Sequence, residues 1–161
     1  MTKLKVRDLM TTEVVTLRPD DTVKKAATKL ALDNVSGAPI VDNKNHLLGF
    51  VSENDILTII MKYQQALDKK NEGDKLLDYS MDSLSEPNDN LKQVSEEISN
   101  IEMSSIMVRS VMTTSPDAPI MEVLKTMLVM GINRIPVLEK GILVGIISRG
   151  DIIFALYKKK V

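Results

Sequence analysis

The sequence predicts a mixed fold, α/β in the α+β sense, in which one β-α-β-β-α unit occurs twice and the two copies pack together. Three observations lead to this prediction. The chain has 161 residues, of which 43% are hydrophobic, and a net charge of −1, which suits a folded globular protein. Its first and last thirds carry the same sequence pattern. Within each copy, strand-like and helix-like periodicities alternate in the same order.

The repeat is clearest when Pro19 is aligned with Pro116, an offset of 116 − 19 = 97 residues. Without a gap, the same offset places Pro39 on Pro136. After the strand that holds this proline, GFVSENDIL matches GIISRGDII at an offset of 96, so the second copy is one residue shorter. A rival register sets VMTT opposite LMTT, but it deletes five residues and a whole predicted strand. We therefore prefer the gapless alignment.

Each copy is predicted to begin with a strand, Glu13–Leu17 in the first copy, followed by a turn and a helix. A strand around Pro39 comes next, and then a second strand at Leu47–Val51. The unit closes with a helix rich in Ile and Leu, which Asp55 opens and which runs to about Lys70. The first helix of each copy has apolar residues at the spacing of one buried face: Val23, Ala26, Ala27 and Leu30 in the first copy, and Ile120, Val123, Leu124 and Met127 in the second.

The repeat also sets the expected domain boundaries. Residues 1–70 hold the first copy and residues 105–161 hold the second. Residues 71–104 form a linker that is expected to be partly helical, because apolar residues recur there at helical spacing: Leu91, Val94, Ile98 and Ile101. A small sheet with two helices on one face leaves apolar surface uncovered, so we expect the two copies to pack together.

Composition excludes several classes of protein. The chain has no cysteine, which excludes disulfides, thiolate catalysis and cysteine zinc sites, and its single histidine, His46, excludes a histidine-rich metal cage. The balanced charge and the aromatic content of 3% disfavour a nucleic-acid binder. No stretch has the apolar length of a signal peptide or a membrane span. We therefore expect a soluble, cytoplasmic protein without a membrane partner, a metal or a resident cofactor.

Three motifs occur in both copies in the same order. They are RPD and SPD, then GAPIVD and NRIPVLE, and finally GFVSENDI and GIISRGDI. Together they resemble a tandem pair of CBS domains, the cystathionine β-synthase type, which is also called a Bateman module. The resemblance covers nearly the whole chain apart from the linker, and it leads us to expect a stand-alone pair.

The resemblance implies a regulatory module that binds adenosine-type ligands, such as AMP, ADP, ATP or S-adenosylmethionine, in clefts of the pair. It also implies a homodimer that relays its ligand state to an unidentified regulated protein. In that family the Asp of the Gly-h-h-Ser/Thr-x-x-Asp motif holds ribose hydroxyls, and the segment at the proline strand lines the base pocket. The positions that carry these roles here are Thr16, Ala38, Pro39, Ser52, Asp55, Thr113, Arg134, Ile135, Pro136, Ser148 and Asp151.

The Ser-x-x-Asp pattern has a purely structural interpretation as well, because it is close to a helix capping box. An Asp at a helix start can also accept hydrogen bonds from two adjacent hydroxyls, and both roles can coexist. Arg134 stands where the first copy has Gly37, so we expect the second site to prefer a phosphorylated ligand, the alternative being a surface ion pair. Arg149 is a further candidate for the phosphate, with a solvated position as its alternative.

Two other functions compete with the sensor. A scaffold of the same fold that binds no nucleotide is the alternative, in which exposed apolar residues such as Leu32 and Val129 serve dimerisation or partner binding. Catalysis is disfavoured, because the sequence shows no nucleophile–base pair. The equivalence of Asp55 and Asp151 in the two copies favours two like binding sites over an acid and a base.

Overall fold

The computed structural model describes residues 3–70, 73–78 and 89–158. Within these ranges the chain forms seven α-helices and four β-strands, and one short 3-10 helix at Leu76–Asp78. The elements in chain order are α1 (Val6–Leu9), α2 (Val23–Leu32), β1 (Gly37–Val41), β2 (Leu47–Ser52), α3 (Glu53–Lys70), α4 (Asp89–Ser99), α5 (Met103–Ile106), α6 (Ile120–Met130), β3 (Arg134–Glu139), β4 (Ile142–Ser148) and α7 (Arg149–Lys158).

The strands form two separate two-stranded sheets, β1 with β2 and β3 with β4. β3 and β4 are antiparallel, with Arg134 opposite Ser148 and Ile135 opposite Ile147. The register shifts between Val137 and Leu138. Buried and half-buried residues alternate along β4, as expected for a strand with one face against a core. The mixed fold predicted from the repeat is therefore confirmed.

The segments predicted as the first strand of each copy are not strands, so this prediction was wrong. In the first copy only Leu17 makes a bridge, a parallel one with Ile40, and in the second copy only Thr114 does, with Val137. Only the last residue of each segment lies beside a strand, and within the described part of the chain the residues before it do not join the ladder. The β-propensity of Glu13–Leu17 is overridden by this geometry.

Backbone hydrogen bonds repeat at the predicted offset. The N–H of Leu17 donates to the carbonyl oxygen of Pro39 at 2.9 Å, and the N–H of Thr114 donates to that of Pro136 at 3.0 Å. Donor and acceptor both move by 97 positions, since 114 − 17 and 136 − 39 are each 97. β2 and β4 end at an offset of 148 − 52 = 96. The gapless alignment is therefore confirmed, and the rival register is excluded.

The chain forms two compact units that do not follow the order of the repeats. Unit 1 consists of residues 1–16, 41–49 and 109–161, and unit 2 consists of residues 17–40 and 50–108. Unit 1 therefore holds α1 together with α6 and α7, whereas unit 2 holds α5 together with α2, α3 and α4.

The leading segment of each repeat packs with the strands and helices of the other repeat. In unit 1 the N–H of Val6 donates to the carbonyl oxygen of Ala118 at 3.0 Å. In unit 2 the N–H of Met103 donates to that of Asp21 at 2.8 Å. Both Val6 and Met103 are fully buried. The boundaries proposed from the repeat thus describe the sequence copies, whereas the compact units exchange α1 and α5.

An exposed ion pair also holds α1 in unit 1. The guanidinium of Arg7 donates two hydrogen bonds to one carboxylate oxygen of Asp117, at 2.8 and 3.0 Å. This contact holds the pKa of Asp117 below its ordinary value and raises the pKa of Arg7. Because both side chains are exposed, the pair orients α1 more than it stabilises the fold.

The predicted helix faces are largely those that the structure buries. In unit 1 the α6 residues Ile120, Val123 and Met127 are buried, and Leu124 packs against them from a half-buried position. The same cluster is completed by Val6, Ile135, Val137, Ile147 and Ile152. In α2 the corresponding buried residues are Val23, Ala26 and Leu30. Ala27 is exposed, contrary to the predicted face, because the helix turns it away from the core.

The linker is partly helical within its described residues. α4 buries Leu91 and Ile98 of the predicted stripe and leaves Val94 half-buried, whereas Ile101 lies beyond the end of the helix. Gln64 of α3 makes two hydrogen bonds to the segment that follows α3. Its side chain accepts from the N–H of Leu76 and donates to the carbonyl oxygen of Asp74, both at 2.8 Å. Residues 71–72 and 79–88 of the linker lie outside the described part of the chain.

Two glycines of unit 1 allow a direct test of this packing. A Cβ atom at Gly145 in β4 would lie 2.7 Å from the Met10 sulfur and 3.0 Å from the Thr11 carbonyl oxygen, whereas one at Gly150 in α7 would meet only the Ser148 hydroxyl oxygen at 3.6 Å. We expect Gly145→Ala to lower the free energy of unfolding by about 1–3 kcal/mol. Gly150→Ala should raise it by less than about 1 kcal/mol, because alanine favours a helix. Urea unfolding measures both, and equal effects would contradict the close approach of Thr11 to β4.

Candidate functional site

The first Ser-x-x-Asp motif lies where β2 ends and α3 begins. The Ser52 N–H donates to Oδ2 of Asp55 at 2.8 Å, and the Ser52 hydroxyl lies 3.1 Å from the same oxygen. The Asp55 N–H points back to the Ser52 hydroxyl oxygen at 3.4 Å. This reciprocal arrangement is a capping box, so the structural interpretation of the motif is confirmed. Within the described residues, Oδ1 of Asp55 has no hydrogen-bond donor.

The second motif repeats this arrangement where β4 ends and α7 begins. The Ser148 N–H donates to Oδ2 of Asp151 at 2.9 Å, and the Asp151 N–H donates to the Ser148 hydroxyl oxygen at 3.1 Å. Both aspartates are half-buried, and each stands in the first turn of its helix. Each copy thus presents a carboxylate at a helix start, where it can accept hydroxyls. The first N–H of each helix already donates to a carbonyl oxygen, Glu53 to Ser36 at 2.8 Å and Arg149 to Asn133 at 3.0 Å.

The two Ser-x-x-Asp motifs define two candidate binding sites. The unit-1 site consists of Ser148 and Asp151 with Arg134, which stands opposite Ser148 across the β3–β4 ladder. The unit-2 site consists of Ser52 and Asp55. Each set lies within one compact unit.

The two sites differ where the cation was predicted. Gly37 of β1 is the counterpart of Arg134, and a Cβ atom at Gly37 would lie only 2.7 Å from the ring of Phe50 and 3.0 Å from the Val51 carbonyl oxygen. The ring of Phe50 therefore takes the space that a side chain at this position needs. The counterpart of Phe50 in the second copy is Ile146, at the offset of 96 found for β2 and β4.

The other predicted site residues fall in two groups. Five of them lie in the same compact unit as the Ser-x-x-Asp motif of their own copy. These are Ala38 and Pro39 in unit 2, and Thr113, Ile135 and Pro136 in unit 1. Thr16 belongs to unit 1, so the structure does not group it with the rest of the first-copy set in unit 2. Thr16 and Thr113 are half-buried, whereas the four residues at the proline strands are buried.

Arg149 has a structural role that the sequence did not reveal. Its guanidinium donates to the carbonyl oxygens of Met127 and Ile132, at 3.2 and 3.1 Å. These carbonyls lie at the end of α6, where Gly131 takes the left-handed conformation with φ of 65°. Arg149 therefore satisfies acceptors at the end of α6, and its positive charge lies beside the carbonyl end of that helix. The solvated position considered for Arg149 from the sequence is excluded.

Thr11 is a residue that the sequence analysis missed. Its hydroxyl lies 3.4 Å from Oδ1 of Asp151, the carboxylate oxygen that the cap does not use. No motif marks Thr11, and the sequence alone did not show that the first segment packs beside the second motif.

In residues 3–70, 73–78 and 89–158 no group of three or more His, Asp or Glu side chains is placed to hold a metal ion. Across the same ranges no helix combines the length and the hydropathy needed to cross a membrane.

Comparison with known families agrees with this geometry. The sequence profile of the CBS domain matches residues 6–62 and 103–158, which together make up more than half of the chain. The chain therefore belongs to the CBS domain family, and the resemblance found in its repeat is confirmed.

Individual relatives are similar at a low level of identity. The chain is 28% identical to the uncharacterized protein MJ1225 of Methanocaldococcus jannaschii over 92% of its own length, but it spans only 41% of that protein. The fold is similar to CBSX2 in complex with AMP, with a TM-score of 0.70, 21% identity and 98% of both chains covered. It is also similar to the CBS domain pair of protein MJ0100 in complex with 5-methylthioadenosine and S-adenosyl-L-methionine, with a TM-score of 0.64, 22% identity, and 99% and 100% covered.

Proposed function

We propose that this chain is a non-catalytic regulatory module that binds an adenosine-type ligand and passes its ligand state to a partner protein. The observation that carries the proposal is the pair of matched carboxylates, Asp55 and Asp151, each at a helix start and each capped through one oxygen only. The second oxygen, Oδ1, can accept a ligand hydroxyl in each site, and in Asp151 it does so beside the Thr11 hydroxyl at 3.4 Å. CBSX2, which binds AMP, and MJ0100, which binds S-adenosylmethionine, share this fold and support an adenosine-containing ligand.

The chemistry favours the sugar of such a ligand as the common element. A ribose offers two adjacent hydroxyls, and a carboxylate oxygen accepts from them with charge-assisted hydrogen bonds of about 1.5–3 kcal/mol each. AMP, ATP and S-adenosylmethionine share this diol and differ in the group beyond it. The carboxylates therefore account for recognition of the ribose that these ligands share, and neighbouring side chains must select the base and the particular ligand.

The regulatory step in this proposal is a population shift. A ligand changes the equilibrium between two arrangements of the module only by as much as it prefers one of them. Because each carboxylate caps the helix that follows it, ligand binding acts directly on the start of α3 or α7. We place the module in the cytoplasm as part of the same proposal, and a chain without cysteine is compatible with a reducing compartment because it needs no disulfide.

The unit-1 site is the one we propose for a phosphorylated ligand. Arg134 is the direct neighbour of Ser148 across the β3–β4 ladder, so this site has a cationic residue next to its motif. In the unit-2 site the counterpart is Gly37, and the ring of Phe50 fills the space beside it. Without this cation the unit-2 site should hold a phosphate less well or stay empty.

We also propose that the module is a homodimer that pairs through α6 and α7. These helices pack against each other and expose apolar side chains, among them Met121 and Leu128 at 63% and 64% of their surface. At the matching positions α2 has Lys24 and Ala31, so only α6 offers an apolar surface there. Exposed Lys125 lies between Met121 and Leu128 at helical spacing, so the face is largely apolar and carries one charge. A largely apolar face can pack against a second copy of itself, as a two-fold dimer requires.

The first experiment tests ligand binding. Thermal shift with AMP, ADP, ATP, S-adenosylmethionine and 5-methylthioadenosine should show stabilisation by at least one, by about 2.7 kcal/mol at one hundred times its dissociation constant. Asp55→Asn combined with Asp151→Asn should weaken that binding roughly 10- to 100-fold in calorimetry. Asp20→Asn, an exposed turn residue, is the matched control. If no adenosine compound shifts the transition, the chain is better described as a scaffold of CBS fold.

A second experiment separates the phosphate from the sugar. Arg134→Ala should weaken AMP binding about 10-fold, because one charge-assisted contact is lost, and leave the affinity for adenosine nearly unchanged. Calorimetric titration of both ligands into both proteins measures the difference. Unchanged AMP affinity, or an equal loss for adenosine, would argue against a phosphate beside Arg134.

The dimer has a test with its own matched control. Leu128→Glu should convert the dimer to a monomer at micromolar concentration, because a charge buried without a partner is costly. Leu32→Glu places the same charge near the end of α2, at a leucine that is 81% exposed, and should leave the dimer intact. Light scattering reads the mass of each protein. A monomeric parent chain, or dissociation by Leu32→Glu alone, would overturn the proposed interface.

A further inference from the structure

We infer that Thr11 is a positioning residue for Asp151, and that its counterpart Val108 makes the unit-2 site unequal to the unit-1 site. The inference rests on the proposed function, because it concerns the carboxylates that are proposed to hold the ribose. Neither residue belongs to a repeated motif. Their difference becomes visible only when the two copies are superimposed position by position at the offset of 97 residues, 108 − 11.

In unit 1 the backbone holds Thr11 beside the motif. Its N–H donates to the carbonyl oxygen of Ile146 and its own carbonyl oxygen accepts from the Ile146 N–H, both at 2.9 Å. Thr11 thereby extends the edge of β4 two residues before Ser148. From this place its hydroxyl reaches Oδ1 of Asp151 at 3.4 Å, while the Ser148 N–H holds Oδ2 at 2.9 Å. Each oxygen of the carboxylate thus has a donor beside it, although the Thr11 hydroxyl is at the long end of the hydrogen-bond range.

In unit 2 the backbone arrangement is the same and the side chain is different. Val108 exchanges the same two hydrogen bonds with Phe50, both at 2.9 Å. Valine has nearly the shape of threonine but has no hydroxyl, so it offers Oδ1 of Asp55 no donor. Ser52 holds Asp55 through Oδ2 alone. The plane of this carboxylate is therefore less constrained than that of Asp151.

The consequence concerns the cost of binding. A carboxylate oxygen has two lone pairs, so Oδ1 of Asp151 can accept from Thr11 and from a ribose hydroxyl together. A group already held in its binding orientation loses less conformational freedom when the ligand arrives. The unit-1 site should therefore bind the sugar more tightly than the unit-2 site, independently of any phosphate beside Arg134.

The experiment isolates one site at a time. In an Asp55→Asn background, where the unit-2 site is weakened, Thr11→Val should reduce the affinity for AMP about 3- to 10-fold, as expected for one hydrogen bond. Thr11→Ser keeps the hydroxyl and should restore most of the affinity. In an Asp151→Asn background, Val108→Thr should tighten AMP binding at the unit-2 site by a similar factor. Thr11 is exposed, so the valine variant is expected to fold.

Two readouts separate this role from general stability and from the proposed function. The carboxyl ¹³C resonance of Asp151 should move in ligand-free Thr11→Val and return in Thr11→Ser, whereas a purely structural residue would not follow the hydroxyl. If the parent chain binds AMP and Thr11→Val binds it equally well, only this inference is overturned. If the parent chain binds neither AMP nor S-adenosylmethionine, the proposed function and the inference both fall.

Discussion

The reciprocal hydrogen bonds between serine and aspartate at each strand-to-helix junction are the interaction on which the rest of the molecule depends. In both copies a strand ends at the serine and a helix begins at the next residue. The backbone must therefore change from hydrogen bonds between strands to hydrogen bonds within a helix over a single peptide unit. The serine hydroxyl and the aspartate carboxylate together satisfy groups that this change leaves open. The junction thereby sets the direction of α3 and of α7 relative to β2 and β4.

This junction also explains how one residue can serve both the fold and a ligand. The cap uses Oδ2 of each aspartate and leaves the second oxygen to other donors. A ligand that binds there acts on a group that already orients the following helix, so binding energy is transmitted to the fold without a separate relay. The structural and the functional interpretations of Ser-x-x-Asp therefore do not exclude each other, since they concern different oxygens of one carboxylate.

The sequence predicts those parts of the fold that depend on local pattern. The repeat, the buried faces of α2 and α6, and the caps follow from spacing and residue type, and they are confirmed except that Ala27 of α2 is exposed. The first strand prediction fails because only the last residue of its segment, Leu17, pairs with β1. The exchange of α1 and α5 between units, the helix-end contacts of Arg149 and the contact of Thr11 with Asp151 depend on long-range packing, which no local pattern encodes.

The two copies keep their backbone and differ in their side chains, and this determines where function can diverge. Matching backbone hydrogen bonds place Thr11 and Val108 in equivalent positions of the two copies. In the same way, the alignment of the strands makes Arg134 the counterpart of Gly37. A backbone that is held this closely allows a side chain to change without moving its neighbours, so differences accumulate beside the carboxylates while the caps stay the same. Phe50 illustrates the coupling, because its ring lies where any side chain at Gly37 would need to be. A cation in the unit-2 site would therefore require two substitutions, whereas a hydroxyl there would require only one.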